Sequence, residues 1–95
     1  FNYPLVPGTS GREYAKVFDS ALENVEKFSP DIIAVSAGFD AYKKDPLLEL
    51  ALGIETYFEI ADMISHLDVP VFSVLEGGYS EEIGKCVHEF LKGLG

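Results

Sequence analysis

Ninety-five residues leave room for one small domain at most, and an apolar fraction of 47% is ordinary for a globular chain. Seven Lys and Arg stand against sixteen Asp and Glu, a net charge of −9. That balance argues against nonspecific binding to nucleic acid or to an anionic membrane, since both reward cations. The acidic residues fall mostly on the polar faces of helical segments and read as a solubilising surface.

Phe1 opens the chain without an initiator Met, inside the apolar stretch Phe1-Asn2-Tyr3-Pro4-Leu5-Val6-Pro7, so we expect a piece of a longer protein. Residues 1–9 read as a loop, broken by Pro4, Pro7 and Gly8. Ser10-Gly11-Arg12-Glu13 fits a capping box, with the serine capping and the glutamate reaching back. Tyr14, Val17, Phe18, Ala21, Leu22, Val25 and Phe28 follow at three- and four-residue steps, one apolar face of a helix. Ser29-Pro30 ends it, because proline disfavours a helical residue before it.

Ile32-Ile33-Ala34-Val35 is short, continuous and largely β-branched, which suits a parallel strand buried on both faces. After the Gly38–Asp45 loop, Asp45-Pro46 reads as an N-cap followed by proline at the first helical position, with a short helical turn over Leu47 to Leu52. A longer helix is predicted from Ile54 to Leu67, with Ile54, Tyr57, Phe58, Ala61, Ile64 and Leu67 inward. Val69 to Leu75 is the second strand, Pro70 lying at its start where a missing donor matters least. Gly77-Gly78-Tyr79 turns the chain, and Ser80 caps a last helix to Leu94 with Glu81 and Glu82 in its first turn. The predicted order is α-β-α-β-α, and two strands joined by a helix imply a right-handed parallel crossover. Two strands are too few for a complete sheet, so further strands are expected upstream.

Cys86 is the only cysteine, which excludes a disulfide within the chain and fits a reducing cytosol. It sits among Ile83, Val87 and Phe90 at helical spacing, the setting of a packed core thiol. No apolar run approaches the length of a membrane span, and no signal peptide is visible. His66 and His88 are isolated, without metal-ligand spacing, and the aromatic residues interleave with apolar rather than basic ones.

Two positions stand out for chemistry. Val35-Ser36-Ala37-Gly38-Phe39-Asp40-Ala41 ends an apolar run at a glycine and delivers a carboxylate just past the strand. There Asp40 can ligate a metal, act as a base, orient a histidine, or close the loop as an Asx-turn or cap. The run Val71 to Leu75 ends likewise, in Glu76-Gly77-Gly78-Tyr79. A phenol there can donate to a developing oxyanion, or it can pack under the last helix. Ligands bind in the crevice beyond the carboxyl ends of such strands. The glycines before a helix also suggest a phosphate cradle, although neither GxGxxG nor GxxxxGK[ST] is present.

Taken in order, Ser36-Ala37-Gly38-Phe39-Asp40-Ala41, Asp45-Pro46-Leu47 and Leu75-Glu76-Gly77-Gly78-Tyr79 resemble the C-terminal motifs of the histone deacetylase superfamily. The wording is most similar to the class II deacetylases and to the acetylpolyamine amidohydrolase and acetoin-utilisation relatives. Asn2-Tyr3-Pro4-Leu5 with Pro7-Gly8-Thr9 resembles the family's loop before the first of these helices, so the similarity spans essentially the whole chain. The resemblance implies a zinc-dependent amide hydrolase on the α/β arginase/deacetylase fold. By it, Asp40 is the last of three protein zinc ligands, and Tyr79 is the phenol that polarises the acetamide carbonyl and stabilises the oxyanion. Leu47 lines the acyl-lysine channel, and Gly77 and Gly78 form wall near Tyr79. The family often has His where this chain has Tyr42, a change expected to touch substrate detail or loop packing. The tandem histidines of the family, and the Asp and His that supply its other two ligands, are not in these 95 residues. One carboxylate does not hold catalytic zinc, so this chain by itself is expected to be inert.

The expected function is therefore that of the C-terminal portion, residues 1–95, of a zinc-dependent deacetylase or amidohydrolase acting on acetyl-lysine or acetylated (poly)amines. Its partners would be such a substrate and the remainder of the parent domain, with no direct nucleic-acid or membrane binding, in the cytoplasm or, in a eukaryote, the nucleus. Two alternatives are a small α/β nucleotide- or phosphate-binding module using the Gly77-Gly78 turn, and a catalytically inactive deacetylase-like interaction domain.

Overall fold

The computed structural model describes all 95 residues. Its elements run α1 (Gly11–Phe28), β1 (Ile33–Ala37), α2 (Ile54–Ser65), β2 (Val71–Leu75) and α3 (Ile83–Leu94), the expected order. The start of α1 is fixed as its sequence implies. Ser10 Oγ accepts from the Glu13 N–H at 3.2 Å, and the Ser10 N–H donates back to Glu13 Oε1. At its other end Ser29 takes a left-handed conformation (φ 57°) and its N–H closes onto Glu26 and Val25, so Pro30 meets a helix that has already stopped. Along the apolar face Leu22 is buried and Tyr14 and Phe18 pack on the core, but Phe28 projects into solvent.

The strands pair in parallel, Ile33 opposite Val71 and Ala37 opposite Leu75. The crossover between them carries α2, which packs closely against α3. A Cβ on Gly93 would lie 2.5 Å from the Phe58 carbonyl oxygen, so the two helices approach backbone to backbone there. Around that contact Phe39, Tyr42, Leu52, Tyr57, Ala61, Cys86 and Phe90 form the centre of the core.

Four expectations are corrected. The strands are covered on one face only: Ile33, Val35 and Ala37 turn inward, while Ala34, Ser36, Phe72 and Val74 are exposed. A two-stranded sheet with all its helices on one side leaves the other side bare. Leu47 to Leu52 forms no helical turn. Its end bonds sideways instead, Ala51 N–H to the Thr9 carbonyl and Leu52 N–H to the Ala41 carbonyl. The last helix begins at Ile83, after a separate turn in which Ser80 Oγ accepts from the Glu82 N–H, so Glu81 and Glu82 precede its first turn. Finally, β1 extends past Val35 to Ala37, β2 begins at Val71, and α2 ends at Ser65.

Candidate active site at the strand ends

β1 and β2 end level, and the ladder continues beyond them. The Glu76 N–H donates to the Ala37 carbonyl at 2.9 Å, and the Phe39 N–H to the Gly77 carbonyl at 2.7 Å. Phe39 is itself held by aromatic packing, its ring 5.0 Å from Tyr57 and 5.7 Å edge-on from Phe90. Asp40 therefore leaves a backbone fixed on both sides, one residue after a core anchor.

Gly77 is where the two loops meet. The point a Cβ would occupy on it lies 3.2 Å from Asp40 Oδ2 and 3.5 Å from the Tyr79 phenol oxygen. The same point on Gly38 lies 3.3 Å from Asp40 Oδ1. The carboxylate thus rests between two glycines, with the phenol beside the second. The Tyr79 ring is exposed and not packed under α3. Gly78 does different work. Its φ of 141° suits glycine, and a Cβ there would meet Ile83 Cδ1 at 2.6 Å and Phe39 Cβ at 3.0 Å, so it shapes the turn and seats it on the core.

Two readings of Asp40 were open, a group available for chemistry or a cap. Capping falls to Asp45. Its Oδ1 accepts the N–H groups of Leu47 (2.8 Å) and Leu48 (3.2 Å), and its Oδ2 accepts the Tyr79 N–H (2.8 Å). Asp45 is buried. Burial pushes its carboxyl upward, but the Leu47, Tyr79 and Leu48 N–H groups outweigh that and hold it below its ordinary value. No backbone N–H donates to Asp40, whose oxygens stay open. The Tyr14 phenol is raised, first by burial and then by the Asp40 charge.

Leu47 is exposed, in a shallow apolar groove with Tyr3, Leu5, Pro7 and Leu50. Its N–H and that of Tyr79 donate to the same Asp45 carboxylate. A second tie was not foreseen from the sequence. The buried Tyr42 phenol donates to Glu82 Oε1 at 3.2 Å, and the same carboxylate takes Lys44 at 2.7 Å and Lys85 at 3.0 Å. Those donors, Lys44 first, bring the Glu82 carboxyl down to about 2. Burial is the main cause that raises the Tyr42 phenol. This network pins the Asp40–Asp45 loop to the residue before α3. Spacing gave no signal of it, since its partners are forty residues apart.

No group of three His, Cys, Asp or Glu side chains comes together to hold a metal ion. Asp40 offers one open carboxylate, which fits one ligand of a zinc site and not a whole one. His66 and His88 are exposed and far from metal-ligand spacing. No helix is long and apolar enough to cross a membrane.

The family model for the histone deacetylase domain matches residues 1–94. The chain belongs to the histone deacetylase family. It is 42% identical over 89 residues to a probable deacetylase of Methanothermobacter thermautotrophicus, an alignment covering 92% of this chain and 27% of that protein. It is 32% identical over 95 residues to acetylpolyamine amidohydrolase 2 of Pseudomonas aeruginosa, covering 99% of this chain and 28% of the relative. The crystal structure of an acetylpolyamine aminohydrolase from Burkholderia pseudomallei superposes with a TM-score of 0.94 at 32% identity, over 99% of this chain and 28% of that one. The chain therefore has the deacetylase fold and spans little more than a quarter of the length of these relatives.

Proposed function

We propose that residues 1–95 are the carboxyl-terminal part of a zinc-dependent deacetylase or amidohydrolase that hydrolyses acetyl-lysine or acetylated (poly)amines. The observation that carries this is the convergence of the Asp40 carboxylate and the Tyr79 phenol on the open side of Gly77. On this reading Asp40 supplies one of three protein ligands, and the other two, with the general base and acid, come from parts of the protein beyond this chain. Bound zinc would lower the pKa of a coordinated water and withdraw charge from the amide carbonyl. Tyr79 donates its phenolic proton in a hydrogen bond to the oxygen that becomes negative as the carbonyl carbon turns tetrahedral. Gly77 leaves room for that oxygen between the two groups, Gly78 holds the turn, and Leu47 borders the approach of the acylated chain. The bare sheet face carrying Phe72 and Val74 is where the remainder of the domain would pack. A single free, buried cysteine suits a cytoplasmic location.

The geometry speaks against a phosphate cradle. The Tyr79 N–H of the glycine turn is already taken by Asp45, and Glu81 and Glu82 stand at the start of α3, where they repel an anion. An inactive interaction domain has no need of an open carboxylate facing a phenol. The test is turnover of an acetyl-lysine peptide and an N-acetylated polyamine by the full-length protein. We expect activity on at least one of them, lost with a zinc chelator and restored by zinc. Tyr79→Phe should keep the metal and lose about 10²–10³ in kcat, the worth of one oxyanion donor. A Tyr79→Phe enzyme with normal kcat removes Tyr79 from the mechanism.

A further inference from the structure

Asp45 joins two parts of the chain that sequence order keeps apart, its own loop and the turn bearing Tyr79. One oxygen accepts two N–H groups of the turn bearing Leu47, and the other accepts the Tyr79 N–H at 2.8 Å from 34 residues away. The carboxylate is buried, and all three donors are backbone groups, so no donor can turn away by a side-chain rotation of its own. Tyr79 itself is exposed and follows a glycine at φ 141°. The turn is seated on the core on either side of it, by Gly78 and by the buried Ser80, and the bond its own N–H makes is this charge-assisted one, of the stronger kind.

We propose that Asp45 is a positioning residue for the deacylation reaction, fixing the Tyr79 main chain so that the phenol stays over Gly77 beside Asp40, and tying that position to the Leu47 turn. The inference rests on the reading of Tyr79 as the oxyanion donor. A donor contributes only when it already points where charge develops, and misplacement by about 1 Å can cost about 10²-fold in rate. Asp45→Asn separates the two halves of the tie. Asparagine keeps one acceptor oxygen, and the Leu47 turn, with two donors, outcompetes Tyr79, with one. The amide NH2 then faces the Tyr79 N–H, donor against donor.

The experiment uses the full-length protein with Asp45→Asn, Tyr79→Phe and the double variant, measuring kcat, KM, metal content and amide exchange. Asp45→Asn should lower kcat about 10- to 100-fold while KM moves less than about threefold and metal content is kept. In the Tyr79→Phe background the same change should lower kcat by less than about threefold, because the group it positions is gone. A residue acting only through general stability would give its full effect in both backgrounds. In the unmodified protein the Tyr79 amide should exchange slowly although its side chain is exposed. That measurement needs no variant and decides the matter if Asp45→Asn does not fold. Normal kcat in Asp45→Asn, an undiminished effect in the Tyr79→Phe background, or fast exchange at Tyr79 overturns the proposal. Normal kcat in Tyr79→Phe instead overturns the reading of Tyr79 on which it rests.

Discussion

Adjacent glycines at the site should respond to the same small change in opposite ways. In Gly77→Ala the backbone is undisturbed, since Gly77 is not among the residues of positive φ. The new methyl sits 3.2 Å from Asp40 Oδ2, inside the 3.4 Å where ordinary contact begins, so the carboxylate must yield by a few tenths of an ångström. Metal-ligand distances tolerate about ±0.2 Å, and disturbing the groups that support a ligand typically costs about 10–100-fold in affinity or activity. We expect a loss of that size with stability within about 0.5 kcal/mol of wild type, as for other surface changes. In Gly78→Ala the methyl would lie 2.6 Å from Ile83 Cδ1 at a φ of 141°. Backbone strain of about 1–3 kcal/mol and overpacking of about 1–3 kcal/mol together predict about 2–6 kcal/mol of destabilisation. Denaturant unfolding and turnover of an acetylated substrate, on both variants of the full-length protein, separate the two. A fully active Gly77→Ala enzyme, or a Gly78→Ala protein as stable as wild type, refutes the geometry.

Glu82 links the Asp40–Asp45 loop to α3, and its folded pKa of about 2 lies below its ordinary 4.5. A depressed carboxyl stabilises the folded state fully above its unfolded value and less as pH falls through the folded one. Acid unfolding between about pH 4.5 and pH 2 should therefore be shallower in Glu82→Gln, and an unchanged acid limb would show that the Lys44 and Lys85 pairs contribute nothing. Cys86 is buried and its thiol is raised, chiefly by burial. A thiol reagent at neutral pH should leave it unmodified until the protein unfolds, and prompt labelling would place it outside the core. Cys86→Ser should cost about 1–3 kcal/mol by burying a hydroxyl among apolar neighbours, read by denaturant unfolding.

Much of this was legible in the sequence because it is local. The capping box at Ser10 and Glu13 lies three residues apart, the apolar face of α1 repeats every three or four, and Ser29-Pro30 stops the helix wherever it sits. The end-of-strand placement of Asp40 and Tyr79 followed from where the β-branched runs stop. What failed depends on distant partners. Asp45-Pro46 has the local form of a helix cap, and Asp45 does take the Leu47 and Leu48 N–H groups, yet no helix follows because Thr9 and Ala41 take those of Ala51 and Leu52. The second oxygen of Asp45 and the Tyr42–Glu82 tie were invisible for the same reason. The continuous strand runs predicted burial on both faces, and these residues cover one. Spacing left Asp40 open between a cap and a group available for chemistry, and it is Asp45 whose carboxylate the backbone N–H groups use.

The most direct test of the account is the metal content of the full-length protein with Asp40→Ala, measured beside its turnover of an acetylated amine. Asp40 is held as an open carboxylate between Gly38 and Gly77, and we expect its removal to abolish zinc retention and activity together while the fold persists. Full zinc occupancy in that variant would contradict the assignment of Asp40 as a ligand.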